Sequence, residues 1–178
     1  MSNHKIIFTG PVGAGKTTAI SSISDIPIVS TDEAARDMTK HRKAATTVAM
    51  DYGIMNLDGT ERIHLYGTPG QERFDFMWDI LTEGGIGLVL LVNNSRPDPF
   101  QDMHFFLDAF NGFIDETRVV IGVTRTDESV RPTIAEYRLK IEDSRHKIPI
   151  FEVDAREHRY VSLLVEALLY SLDPGVVE

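Results

Sequence analysis

Residues 10–17 read Gly10-Pro11-Val12-Gly13-Ala14-Gly15-Lys16-Thr17, a spacing of glycines, lysine and hydroxyl suited to gripping a polyphosphate. Gly13 and Gly15 let the backbone curl so that successive N–H groups point inward at an anion. A helix beginning at Gly15 would add the partial positive charge of its N-terminus. Lys16 can reach the terminal phosphates, and the Thr17 hydroxyl can ligate Mg²⁺. Gly10, Ala14 and Thr18 complete the cradle. This segment follows the apolar run Ile6-Ile7-Phe8, the strand-then-helix context that the motif requires. The motif alone leaves the base and the reaction open.

The elements around it follow from patterning. Short Ile- and Val-rich runs alternate with segments of helical period, which predicts βαβ units and a mostly parallel sheet. Strands are expected near Lys5–Thr9, Thr47–Leu57, Arg62–Tyr66, Gly87–Val92, Arg118–Val123 and Pro149–Val153. Helices are expected over Gly15–Ile23, Phe74–Leu81, Pro99–Phe113, Thr133–Ser144 and Arg159–Leu172. The last carries Val161, Leu164, Val165, Leu168, Leu169 and Leu172 on one stripe, which should close the core. Asp58-Gly59 tolerates left-handed geometry, so the second and third strands should form an antiparallel hairpin. The fold class is therefore α/β: a P-loop NTPase with a six-stranded, mostly parallel sheet, one antiparallel hairpin strand and helices on both faces. One domain over residues 1–178 is expected.

Composition limits the partners. The formal net charge is −9, which argues against nucleic acid or an anionic membrane, since polyanions attract basic surfaces. Local backbone and a few cations must then hold any phosphate. With no cysteine there is no thiol nucleophile, disulfide or thiolate metal site. No window is apolar enough to span a membrane, and neither end carries a lipidation motif. A cytoplasmic protein is the expectation. The six histidines show no metal-ligand spacing.

Thr47 to Phe74 reads TVAMDYGIMNLDGTERIHLYGTPGQERF. With the phosphate loop, this stretch resembles the Ras and Rab-type small GTPases between their first and second switches, and most closely the bacterial branch related to the polarity GTPase MglA. The resemblance implies a GTP/GDP switch with Mg²⁺ as cofactor and switch loops around 31–47 and 67–81; slow hydrolysis is expected from two departures from the family's pattern, Gly67 and Val12. It gives Thr47 the first-switch role of ligating Mg²⁺ and sensing the γ-phosphate. Gly70 matches the second-switch glycine that contacts the γ-phosphate, and Gln71 the glutamine that orients the attacking water. Gln71, Lys16 and Thr47 are thus the catalytic candidates, with Thr17 and Thr47 the metal ligands.

For the base, the family uses an Asn-Lys-x-Asp motif after its fifth strand; here that place holds Thr124-Arg125-Thr126-Asp127. A carboxylate at Asp127 can accept from both the N1–H and the 2-amino group of guanine, a pair that adenine lacks. Arg125 can pack over the base plane as the family's lysine does. Thr124 departs from the pattern and should loosen the bonding between loops. Asp154-Ala155-Arg156 resembles the family's Ser-Ala-Lys, with the Ala155 N–H meeting guanine O6.

Two further departures bear on catalysis. The family's metal-water aspartate is replaced by Gly67, with Asp51, Asp32 or Glu33 as candidates to compensate. Val12 stands where Ras has glycine and should crowd Gln71. Arg36, Arg42 and Arg73 are the cationic candidates for a finger in cis, against the plainer reading as solvated charges. Phe74, Phe76, Met77, Trp78, Ile80 and Leu81 crowd one helix, either as a docking face or as packing against the segment with Phe105, Phe106 and Phe110. The implied partner is a protein effector or activator, a roadblock-domain protein by family analogy. Two other readings compete: a nucleotide-binding module without useful hydrolysis, and a P-loop ATPase or phosphotransferase.

Overall fold

The computed structural model describes residues 2–30, 50–69 and 76–173. Its strands are β1 (Ser2–Thr9), β2 (Val29–Ser30), β3 (Asp51–Leu57), β4 (Glu61–Gly67), β5 (Gly87–Asn93), β6 (Val119–Thr124) and β7 (Ile150–Glu152). The helices are α1 (Lys16–Ile23), α2 (Phe76–Thr82), α3 (Pro99–Ala109), α4 (Asn111–Glu116), α5 (Ile134–Lys140) and α6 (His158–Leu172).

The strands form one seven-stranded sheet in the order β2-β3-β4-β1-β5-β6-β7. This corrects the expected six. The added strand is the two-residue edge β2, antiparallel to β3 and too short to carry a period-2 signal. Strand β3 is antiparallel to β4, while β4, β1, β5, β6 and β7 are mutually parallel neighbours. The hairpin between β3 and β4 turns at Asp58 and Gly59, both at positive φ (27° and 73°), the geometry that a short aspartate and a glycine tolerate.

Alternation along the central strands sorts the core onto two faces. Ile6, Phe8, Val89 and Leu91 face α1 and α6, whose Val161, Leu164, Val165 and Leu168 are buried as the stripe predicts. Ile7, Leu88, Leu90 and Val92 face the other way, onto Met103, Phe106 and Phe110. Strand β5 is buried at every position because helices cover both sides.

Two helices differ from expectation. The segment 99–113 breaks at Phe110, which caps α3 and opens α4; the Asn111-Gly112 pair that follows is weak in helix propensity. Helix α5 stops at Lys140, four residues short, with a Thr133/Glu136 capping box at its start. On α2, Trp78 and Leu81 are buried while Ile80 is 63% exposed. Trp78 lies on Phe110 with ring centroids 5.0 Å apart and planes at 23°. The packing reading therefore accounts for Trp78 and Leu81, while Ile80 points outward; Phe74 lies outside the described residues. Among the described residues no helix is long and apolar enough to cross a membrane.

Candidate functional site

The loop between β1 and α1 takes the curled form. Gly10, Gly13 and Gly15 sit at φ 147°, 79° and 94°. At Gly10 the constraint is absolute, because a Cβ there would lie 2.1 Å from the Leu91 carbonyl oxygen. Ala14 N–H donates back to Pro11 O at 3.1 Å, closing the curl. Lys16 folds over it, its Nζ donating to Gly10 O (2.7 Å) and Pro11 O (2.9 Å). Burial pulls the Lys16 ammonium down to about 8, opposed in part by Asp51 and aided by Arg96. A lysine held this way is primed to exchange two carbonyls for an anion.

Beside the loop, the Thr17 hydroxyl donates to Asp51 Oδ2 at 2.5 Å. Asp51 opens β3 directly opposite Gly67, the last residue of β4. A Cβ on Gly67 would meet Asp51 Oδ2 at 3.4 Å and Ile20 Cδ1 at 3.1 Å. A carboxylate thus stands directly across the strand pair from position 67. Of the three acids suggested by sequence, Asp51 is the one brought to Thr17; Asp32 and Glu33 lie outside the described residues. A hydroxyl and a carboxylate are hard oxygen donors of the type Mg²⁺ takes, and Mg²⁺ needs few protein ligands. Among the described residues no group of three or more His, Cys, Asp or Glu could hold a metal. Thr68 follows, its hydroxyl sharing a 2.7 Å hydrogen bond with that of Thr9 and its N–H donating to Phe8 O. That pair of buried hydroxyls was not legible in the sequence.

The loop after β6 reaches the phosphate loop through side chains. Thr124 Oγ1 donates to Ala14 O at 2.9 Å, so the expected loosening at Thr124 is corrected: its hydroxyl makes the bond between the loops. Arg125, at φ 58°, donates from Nε to Gly13 O at 3.0 Å and pairs with Glu128 at 2.8 Å. Its stem therefore lies along the loop. Asn93 donates from Nδ2 to the same Gly13 O at 3.1 Å. Its only sequence signal is a polar residue ending an otherwise apolar strand.

These contacts enclose a cavity of about 810 Å³. Ala14, Gly15 and Thr18 line one side, Thr124, Arg125 and Asp127 another, and Ala155 and Arg156 a third. Asp154 accepts from Arg156 Nε (2.9 Å) and Nη2 (2.7 Å), which holds its carboxyl down to about 2. The same Nη2 lies 4.0 Å from Asp127 Oδ2. Gly10, Gly13, Lys16 and Thr17 continue from that cavity along the loop. Thr47, Gly70 and Gln71, with Arg36, Arg42 and Arg73, lie outside the described residues. Val12 is 56% exposed.

The sequence matches, over residues 27–143, a family model described as "Conserved hypothetical ATP binding protein". That match begins beyond the phosphate loop. The chain is also similar to the Ras-related protein RabC of Dictyostelium discoideum, 21% identical over 180 residues, which cover 96% of this chain and 84% of that protein. The Ras-related protein RABA5d of Arabidopsis thaliana is 26% identical over 135 residues, covering 74% of this chain and 57% of its own length. The uncharacterized protein MJ1339 of Methanocaldococcus jannaschii is 32% identical over 88 residues, 49% of each chain. A P-loop relationship of Ras type follows, at low identity. The family match spans well over half of the chain, which therefore belongs to the conserved hypothetical ATP binding protein family.

Proposed function

We propose that this chain is a guanine-nucleotide switch: a small GTPase of the bacterial branch related to MglA, cytoplasmic, binding Mg²⁺·GTP and hydrolysing it slowly. The observation that carries the reading is the cavity in which Asp127 shares walls with Ala14 and Gly15 of the phosphate loop. A triphosphate on the loop would leave its base beside a carboxylate and beside the Ala155 backbone. A carboxylate matches the two donors of guanine and opposes the ring nitrogen of adenine.

In this reading Lys16 exchanges Gly10 O and Pro11 O for the β- and γ-phosphates. Thr17 and Asp51 are the residues that would hold Mg²⁺. When bound, the metal neutralises charge developing on the phosphates. Thr47, Gly70 and Gln71 take the roles that the resemblance gives them. Hydrolysis without an activator is at or below about 10⁻⁴ s⁻¹, since positioning alone drives the step and no arginine finger is assigned. The output is a change at the loops 31–47 and 67–81, read by a protein partner such as a roadblock-domain regulator.

A second reading, adenine nucleotide binding, is favoured by the description of the matched family. Competition for a fluorescent GTP analogue separates the two. GTP should displace it far better than ATP, and Asp127→Ala should erase that preference; an ATP preference in the wild type would overturn the guanine assignment. Single-turnover hydrolysis then distinguishes a slow GTPase from a module that only binds.

A further inference from the structure

Two adjacent asparagines end β5, and their side chains go to different loops. Asn93 is the last residue of the strand and Asn94 the next; both are almost completely buried. Successive residues of a strand point to opposite faces, so one amide rises toward the phosphate loop and the other toward the loop after β6. Buried amides are costly unless every donor and acceptor is met. Here each amide nitrogen and each amide oxygen has a partner in one orientation only. Asn93 Nδ2 faces a pure acceptor, Gly13 O, at 3.1 Å, while its Oδ1 accepts from Ser95 N–H at 2.9 Å and from Ser95 Oγ at 2.7 Å. Asn94 Nδ2 faces two pure acceptors, Ser129 O (2.7 Å) and Pro132 O (3.1 Å), and its Oδ1 accepts from Tyr137 Oη at 2.7 Å.

Tyr137 is fully buried on α5. Burial, with Asp102 adding to it, raises its phenol well above the ordinary value, so it remains a proton donor. The segment thus clamped begins at Arg125, whose carbonyl accepts from Glu128 and Ser129 N–H at 3.2 Å. It carries Asp127 between its two held ends.

We propose that Asn93 and Asn94, the latter fixed by Tyr137, are positioning residues that set the phosphate loop and the base loop at a fixed spacing from one rigid strand end. The inference rests on the nucleotide-binding reading above but not on which base is bound. Asn93 acts on the phosphate end through Gly13; Asn94 and Tyr137 act on the base end through Ser129 and Pro132. Adjacent substitutions should therefore have different signatures.

The test uses the full chain with Mg²⁺ and three probes: GTP, ATP and inorganic tripolyphosphate, which has the phosphates but no base. Asn93→Ala should weaken tripolyphosphate and the preferred nucleotide together by about fivefold, a partial loss because Arg125 still donates to Gly13 O. Asn94→Ala and Tyr137→Phe should weaken the preferred nucleotide by about tenfold and leave tripolyphosphate within about twofold. If Asn94→Ala does not fold, Tyr137→Phe, which keeps the ring in the core, decides; amide exchange over residues 126–130 should then accelerate. The proposal is overturned if these variants lower thermal stability without changing any affinity, if Asn94→Ala or Tyr137→Phe weakens tripolyphosphate as much as nucleotide, or if Asn93→Ala leaves tripolyphosphate binding unchanged. A wild type that binds none of the three overturns the underlying reading, and the positioning roles with it.

Discussion

The hydroxyl of Thr17 and the carboxylate of Asp51 lie 2.5 Å apart, joining the first turn of α1 to the start of β3. They are 34 residues apart in sequence, and Asp51 stands directly across the β3–β4 pair from Gly67. The acid is on the neighbouring strand, and a Cβ at position 67 would press on Ile20 and Asp51 at 3.1–3.4 Å.

If this pair holds the cation, Asp51→Ala should lower the Mg²⁺-dependent part of GTP affinity by about 10- to 100-fold, the usual cost of losing an outer-sphere partner. Affinity measured in EDTA should barely change. Dissociation constants taken with and without Mg²⁺ for both proteins check this; an unchanged magnesium effect would remove Asp51 from the site.

Lys16 gives a pH signature. Its folded value is about 8 against an ordinary 10.5. Below pH 8 it is charged in both the folded and unfolded states, and the cost of burying the ammonium is fully present. Between about 8 and 10.5 the unfolded chain binds the extra proton, so this residue's contribution to stability improves as pH rises. Phosphate affinity should run the other way, level below pH 8 and falling above it as the ammonium is lost. Lys16→Met should flatten both trends, measured by denaturant melts and by tripolyphosphate titration from pH 7 to 9.5.

The Thr124 hydroxyl spans two loops in a buried bond to Ala14 O. Thr124→Val keeps the shape and removes the donor, so nucleotide affinity should fall by about 5- to 20-fold. Thr124→Ser should retain most of it. Equal behaviour of the two variants in calorimetry would show that the hydroxyl does not tie the loops.

On α2, Trp78 packs on Phe106 and Phe110, and its indole N–H has no hydrogen-bond partner among the described residues. Trp78→Ala should cost about 3–5 kcal/mol of stability as a core truncation. Ile80→Ala, at an outward position two residues on, should stay within about 0.5 kcal/mol. Urea melts of the two variants read the difference; similar losses would mean that Ile80 is covered in solution.

Much of the architecture was legible because it rests on local signals. The glycine spacing of residues 10–17, the Asp58-Gly59 turn and the α6 stripe each specify geometry within a few residues. What escaped depends on register and distance. The two residues of β2 show no period. The Thr17–Asp51, Thr9–Thr68 and Asn94–Tyr137 pairs are decided by which strands are neighbours, and a linear reading does not encode that order. Thr124 shows the limit of matching a motif by residue type: a shorter side chain makes the bond because the two loops approach closely.

The most direct test of the central claim is calorimetric titration of the purified full chain, stripped of nucleotide, with GTP and with ATP in Mg²⁺ and in EDTA. The account predicts one GTP per chain, tighter than ATP and weakened by EDTA. Absence of heat with either triphosphate in Mg²⁺, at protein concentrations where micromolar binding is visible, would contradict it.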